Sequence, residues 1–134
     1  GEGDLNFNRI IPGILKSIIT NTKLELRSDG TFVREYVYVK DVVRAYRFLL
    51  NHIDSIQGEA YNISSGQSYT VLNVIKTIEK IVKKKIHFTI QNTQHNEIPY
   101  QTLNVDKIKT LGFNSVYTLK QTLPKILTWY TTIL

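Results

Sequence analysis

Three arginines carry the clearest chemical potential in this chain. Arg9, Arg27 and Arg34 each fall at a boundary between expected elements, where a long side chain can reach into a cleft. A guanidinium fork matches diphosphate oxygens two at a time, so two or three converging arginines make a diphosphate clamp. The same spacing also suits surface ion pairs with Glu25, Asp29 and Glu35. Spacing by itself favours the surface ion pairs over the clamp.

Other familiar chemistry is missing. A dinucleotide-binding turn needs Gly-x-Gly-x-x-Gly between a strand and a helix, because the pyrophosphate touches bare backbone. Gly1-Glu2-Gly3-Asp4-Leu5-Asn6 lacks the third glycine and has no strand before it. Tyr36-x-x-x-Lys40 has the spacing of a base whose pKa a lysine lowers. It falls mainly in a strand signal, however, where the two side chains do not meet as they do on a helix. His52, His87 and His95 share no metal-ligand spacing. Ile63-Ser64-Ser65-Gly66 reads as a turn rather than a nucleophile elbow. No close carboxylate pair suggests acid–base work, so catalytic, cofactor-binding and metal sites are all expected to be absent from this chain.

The elements that would position the arginines follow from periodicity. Gly1 to Asn8 reads as a loop. Ile10, Ile11, Ile14, Leu15 and Ile18 predict a helix to about Ile19, with Pro12 tolerated near its start. Leu24 to Arg27 reads as extended, Ser28-Asp29-Gly30 as a turn, and Glu35 to Val39 as a strand. A helix is expected from about Asp41 to Asn51, with Val42, Ala45, Tyr46 and Leu49 as its apolar stripe. Tyr61 to Ile63 reads as a short strand. Thr70 is placed to cap a helix buried through Val71, Val74, Ile75, Ile78 and Val82. Lys85 to Ile90 alternates like a strand, and Asn92 to Gln101 reads as a polar loop. Asn104 is placed to cap a short helix ended by Gly112. Thr118 opens a last helix with Leu119, Leu123, Ile126, Leu127 and Tyr130 on one side, and Pro124 lies early enough in it to cost little. These alternations predict one α/β domain over residues 1–134, a small mixed sheet with surrounding helices.

Composition narrows the function classes. The 134 residues are 42% hydrophobic and 21% charged, enough for a hydrophobic core and not a disordered composition. No cysteine is present, which excludes disulfides and thiolate metal sites and fits a cytoplasmic protein. No run is long enough to span a bilayer, so no membrane partner is expected. The net charge is +6, which favours anionic partners. Lys83-Lys84-Lys85 sits at an expected helix end, where cations complement the dipole. No basic–aromatic nucleic-acid module is visible, so nucleic acid is not expected as a partner.

The order of short motifs along nearly the whole chain resembles the carboxyl-terminal part of the extended short-chain dehydrogenases/reductases, the NAD-dependent nucleotide-sugar epimerases and dehydratases. Gly1-Glu2-Gly3-Asp4 is similar to that family's Gly-Pro-Gly-Asp loop. Arg9-Ile10-Ile11-Pro12 resembles the opening of its sugar-nucleotide helix. Asp29-Gly30-Thr31, Arg34-Glu35-Tyr36 and Tyr61-Asn62-Ile63 match further motifs. So do Asn96-Glu97-Ile98-Pro99, Asp106-Lys107, Leu111-Gly112-Phe113 and the Trp129-Tyr130 pair. Glu35 stands where aspartate is usual, Ser64-Ser65-Gly66 replaces a Gly-Gly pair, and Asn96-Glu97-Ile98-Pro99 lacks an arginine common in relatives. The pattern looks most like the CDP-glucose 4,6-dehydratase-like branch.

The resemblance implies a substrate-binding domain whose NAD-binding domain is absent from this chain. Arg9, Ile10, Leu24, Arg27, Arg34 and Asn62 would lie around a nucleoside-diphosphate sugar, with Arg34 on the diphosphate. The full enzyme would oxidise the sugar at C4 with bound NAD, then epimerise it or dehydrate it across C4–C6, in carbohydrate metabolism such as cell-surface polysaccharide biosynthesis. This chain, without a catalytic Tyr-x-x-x-Lys helix, would be inactive alone. The alternative is a non-catalytic remnant or split-gene module that docks on a separate Rossmann half. A homodimer or that separate NAD-binding half is the expected protein partner.

Overall fold

A computed structural model describes residues 1–94 and 96–134; His95 lies outside the described residues. The elements run α1 (Ile10–Thr20), β1 (Leu24–Leu26), β2 (Val33–Glu35), α2 (Val39–Leu50), α3 (Ile53–Ile56), β3 (Ser68–Thr70), α4 (Val71–Val82), β4 (Phe88–Ile90), β5 (Tyr100–Gln101), α5 (Asp106–Thr110) and α6 (Leu119–Thr131). Two small sheets result. β1 pairs parallel with β4, Leu24 opposite Phe88. β2 is the centre of the other sheet, antiparallel to β3 and parallel to β5. The mixed α/β architecture expected from alternation is therefore present.

The helices form where apolar spacing and caps agree. Thr70 accepts from the Asn73 amide at 3.1 Å and opens α4. Thr118 and Gln121 cap each other reciprocally at the start of α6, which satisfies amides that the helix leaves unpaired. Val74, Ile75 and Ile78 of α4 meet Leu119, Leu123, Ile126 and Tyr130 of α6, with Ile14 and Leu15 of α1 alongside. β1 supplies Leu24 and Leu26 to that core. A second cluster joins Ala45 of α2 to Val105, Ile108 and Phe113. Gly30 shows why the turn before β2 needs glycine: its φ is +84°, and a Cβ there would lie 2.8 Å from Leu72.

Several expectations shift. The strand expected at Glu35 to Val39 lies at Val33–Glu35, because the ladder is set by Thr70 and Tyr100 opposite Val33. Val39 already belongs to α2. Tyr61 to Ile63 pairs in no ladder among the described residues. The strand expected from Lys85 begins only at Phe88, and the expected polar loop contains β5. Asn104 accepts from the Asp106 amide at 2.8 Å, as a cap does, although the residue flanking α5 is Val105. Tyr46, expected on the buried stripe of α2, is 64% exposed.

Tyr38 fastens the opening loop to the start of α2. Its ring is buried against Tyr117, at 5.2 Å between centroids. Its hydroxyl donates to both Glu2 carboxylate oxygens at 2.9 and 2.7 Å. Burial, then the Glu2 carboxylate, pushes the Tyr38 hydroxyl up to about 12. Burial raises the Glu2 carboxyl, but the Tyr38 bond together with Lys125 and Lys40 outweighs it, so the net direction is downward. The signs give two limbs. The Tyr38 contribution is complete below its ordinary pKa near 10 and is lost as pH rises towards about 12. The Glu2 contribution is present above its ordinary value of 4.5 and is lost as pH falls beneath it. Thermal melts across pH should show both limbs, each smaller in Tyr38→Phe than in the wild type, with what remains coming from groups such as Asp4 and Tyr36. A Tyr38→Phe profile that superimposes on the wild type would refute the clamp.

Candidate functional site

One cavity, of about 360 Å³, gathers the chemistry expected from the sequence. The start of α1, strand β1 with the residues after it, and strand β2 with its flanks meet there. Arg9 and Ile10 come from the first, Arg27 and Ser28 from the second, and Phe32, Arg34 and Tyr36 from the third. Val71, at the start of α4, adds apolar wall, and Glu25 and Glu97 add carboxylates.

Each arginine is positioned differently. Arg34 is half-buried at the middle of β2. It donates to the Val33 carbonyl at 2.8 Å, pairs with Glu97 at 3.2 Å, and lies 5.8 Å from the Phe32 ring centroid. Arg9 precedes α1, is largely exposed, and pairs with Asp4 at 3.0 Å. Burial raises the Asp4 carboxyl, but the Asn6 amide and Arg9 hold it below its ordinary value overall. Arg27 makes no ion pair among the described residues, while its carbonyl accepts from Thr93 and Gln94 amides at 2.8 and 3.2 Å. The ion pairs found are thus to Asp4 and Glu97. None uses Glu25, Asp29 or Glu35: Asp29 holds its own turn through Thr31, and Glu35 accepts from the Leu103 amide at 2.9 Å.

Four of the six residues expected at a ligand site, Arg9, Ile10, Arg27 and Arg34, line this one cavity. Leu24 is a core residue of β1. Asn62 donates to the Asn104 carbonyl at 3.0 Å, away from the cavity lining. Sequence reading missed Phe32, Tyr36, Val71 and Glu97. The aromatic pair was findable: Phe32 and Tyr36 flank Arg34 by two on each side, and period two puts all three on one strand face.

Tyr36 and Lys40 do not form a catalytic pair. Tyr36 lines the arginine cavity, whereas Lys40 sits in the first turn of α2 and lines another cavity with Tyr38, Tyr117 and Lys125. Burial raises the Tyr36 hydroxyl, with Arg34 only partly opposing, which is the wrong direction for a base. No group of His, Asp or Glu suited to a metal ion occurs among the described residues. No helix among them is long and apolar enough to cross a membrane.

The arrangement can hold a ligand with an anionic centre and a flat or apolar end: three arginines, two carboxylates and two aromatic side chains line one cavity. Residues 1–64 match the NAD dependent epimerase/dehydratase family. The UDP-glucose 4-epimerase of Bifidobacterium longum subsp. longum is 32% identical over 104 residues, which is 77% of this chain and 31% of that one. The UDP-glucuronic acid 4-epimerase from Bacillus cereus, solved with UDP-glucuronic acid and NAD, superimposes with a TM-score of 0.88 at 21% identity over 95% of this chain. It covers 41% of that chain, and the likeness shows the fold. The dTDP-glucose 4,6-dehydratase from Bacillus anthracis, solved with NAD, has a TM-score of 0.79 at 26% identity, over 93% of this chain and 39% of that one. The chain spans less than half the length of each of these relatives.

Proposed function

Because the chain belongs to the NAD dependent epimerase/dehydratase family, we propose that it is the nucleotide-sugar-binding portion of such an enzyme. The cavity that joins Arg9, Arg27 and Arg34 carries the reading. Arg34 and Arg27 take the diphosphate, and Phe32, Tyr36 and Val71 face the less polar end of the ligand. Pyrimidine nucleoside-diphosphate sugars are the first class to test, since the relatives named above are UDP- and dTDP-sugar enzymes.

The residues present do not make an NAD site. The strand-to-helix turn from β2 to α2 is Tyr36-Val37-Tyr38, and β3 runs straight into α4, so neither offers the bare backbone that a pyrophosphate needs. Gly1 has no room for it either, since a Cβ there would lie 2.8 Å from Val39. In this proposal NAD, held by a separate dinucleotide-binding part, supplies the hydride acceptor for the sugar C4 hydroxyl. The work of this chain is to bind and orient. Remote diphosphate contacts of this kind hold the reacting carbon in place. Epimerisation and 4,6-dehydration share that task, and the CDP-glucose branch remains one outcome of the test. A non-catalytic module that docks on a separate Rossmann half would use the same cleft.

Calorimetric titration with UDP-, dTDP-, CDP- and GDP-glucose, and with NAD as control, tests the reading. One nucleotide sugar is expected to bind selectively while NAD gives no heat. Equal, salt-sensitive binding of all four would instead mean an unspecific anion patch. No binding of any would remove the proposal for the isolated chain.

A further inference from the structure

We propose that the lysine-rich end of the molecule, where α1 and α4 finish, is a surface that seats on the headgroups of an anionic lipid bilayer. The inference goes beyond the reading above and does not depend on what fills the arginine cavity.

Two adjoining grooves at that end share Lys84 and Lys85. One, of about 420 Å³, is otherwise lined by Lys76, Lys80 and Lys83 with Glu79. The other, of about 380 Å³, adds Lys23 and His87. Six lysines and one carboxylate leave +5 at this end, against +6 for the whole chain. All six lysines are exposed. Only Lys85 has a carboxylate partner among the described residues, Glu79 at 3.3 Å. Glu79 is itself committed to the fold, since it accepts from the Ile86 amide at 3.0 Å. Lys84 donates to the Asn21 side chain at 3.1 Å and so joins the ends of α4 and α1.

Helix dipoles account for only part of this charge. Their effect fades within the last turn, so the end of α4 explains Lys80 and Lys83. It does not explain Lys76, one turn earlier, or Lys23, beyond the end of α1. Lys76, Lys80 and Lys83 recur at intervals of four and three, which sets three cations on one helix face, where they repel and cost stability. Lys83 adds to that cost. It closes α4 at φ +53°, the left-handed position that glycine fills freely. Charge concentrated in this way is offset where a polyanion meets it.

The residue types decide the occupant. Neither groove is lined by an arginine or by a Phe, Tyr or Trp. A protein partner draws on aromatic and arginine anchors, and such interfaces are depleted in lysine. A nucleic acid draws on arginine forks and stacking rings as well as charge. An anionic bilayer asks only for lysines gathered on one face. Such a contact is peripheral and needs no spanning helix. The placement agrees. α1 and α4 both start at the arginine cavity, with Ile10 and Val71, and both end at the grooves. Their 11 and 12 residues set the two ends roughly 16–18 Å apart. A chain seated on a bilayer by this end keeps its cleft open to solution.

The test is co-sedimentation of this chain with vesicles of phosphatidylcholine containing one-third phosphatidylglycerol, and with vesicles of phosphatidylcholine alone. Binding is expected to the first only, at about 0.1 M salt, and is lost near about 1 M, where the screening length falls to about 3 Å. Lys76→Gln with Lys80→Gln and Lys83→Gln should weaken it about 100-fold, because each lysine at an anionic bilayer contributes about fivefold. None of the three makes an ion pair among the described residues, so the melting temperature should not fall. Lys16→Gln with Lys109→Gln and Lys120→Gln removes the same charge from residues outside both grooves, and should cost less than about threefold. Equal losses for the two triple variants would reduce the effect to net charge and overturn the proposal. So would equal binding to both kinds of vesicle, or binding to neither. Tighter binding to a DNA duplex than to the anionic vesicles, abolished by the same three substitutions, would overturn it and give the grooves to a nucleic acid. Release from the vesicles by inorganic phosphate at unchanged ionic strength would overturn it and give them to free phosphate.

Discussion

Asp41→Ala is expected to cost about 3 kcal/mol of folding stability. Asp41 is a fully buried carboxylate in the first turn of α2. Its oxygens accept from the Val116 amide at 3.2 Å, the Tyr117 amide at 3.0 Å and the Arg44 guanidinium at 2.5 Å. Those amides lie in the segment leading to α6, more than seventy residues away in sequence. One carboxylate thus ties α2 to the main core. Removing it leaves two amides without their acceptor and a guanidinium without its partner. The Arg44 side chain is 41% exposed, so water recovers part of that last loss.

For a domain of this length, about 3 kcal/mol lowers the melting temperature by roughly 10 °C. Urea unfolding followed by the single tryptophan, Trp129, gives the free energy directly. Arg44→Ala should cost under about 1 kcal/mol, because it removes only the exposed end of the network. A loss below 1 kcal/mol for Asp41→Ala, or equal losses for the two variants, would show that the amides find other partners and that the tie is unimportant.

Asp41 also marks how far a sequence can be read. The helices were legible, because α1, α2, α4 and α6 each carry apolar residues at helical spacing and two announce themselves with threonine caps. That an acid in the first turn of α2 would be buried was not, since first-turn acids ordinarily complement the helix dipole from solvent. Its acceptors' partners sit at residues 116 and 117, which no local pattern reveals. The strands misled for the same reason. Residues 35–39 have strand-forming side chains, but pairing is decided by Tyr100 and Thr70 across the sheet. Tyr46 was placed inside because α2 is apolar on two faces, and periodicity does not say which face has a neighbour in this chain. The arginines were legible as a set, although only Arg9 and Arg27 stand at element boundaries and Arg34 lies at the middle of β2. Their convergence depends on β2 lying where it does, and the Glu97 partner arrives from 63 residues away.

Arg34→Ala is expected to weaken nucleotide-sugar binding by about 10- to 100-fold, the loss of one hydrogen-bonded charge worth about 1.5–3 kcal/mol. Among the three arginines, Arg34 is the best prepared for that role. It is half-buried on a paired strand, its guanidinium is already steered by the Val33 carbonyl, and the Phe32 ring lies beside it. Little side-chain freedom remains to be lost on binding, which is where a preorganised contact gains. Arg9 is two-thirds exposed and its alanine variant should lose less. Arg34→Lys keeps the charge but not the fork, so it should fall between alanine and wild type. Stability should change little, because the Glu97 side chain is 43% exposed and water recovers much of the lost pairing. A diphosphate held by Arg34 requires the alanine and lysine variants to differ in affinity while sharing one melting temperature. Equal affinities for wild type, lysine and alanine would mean that the diphosphate lies on Arg27 and Arg9, with Arg34 serving only to hold β2 against the 96–99 segment.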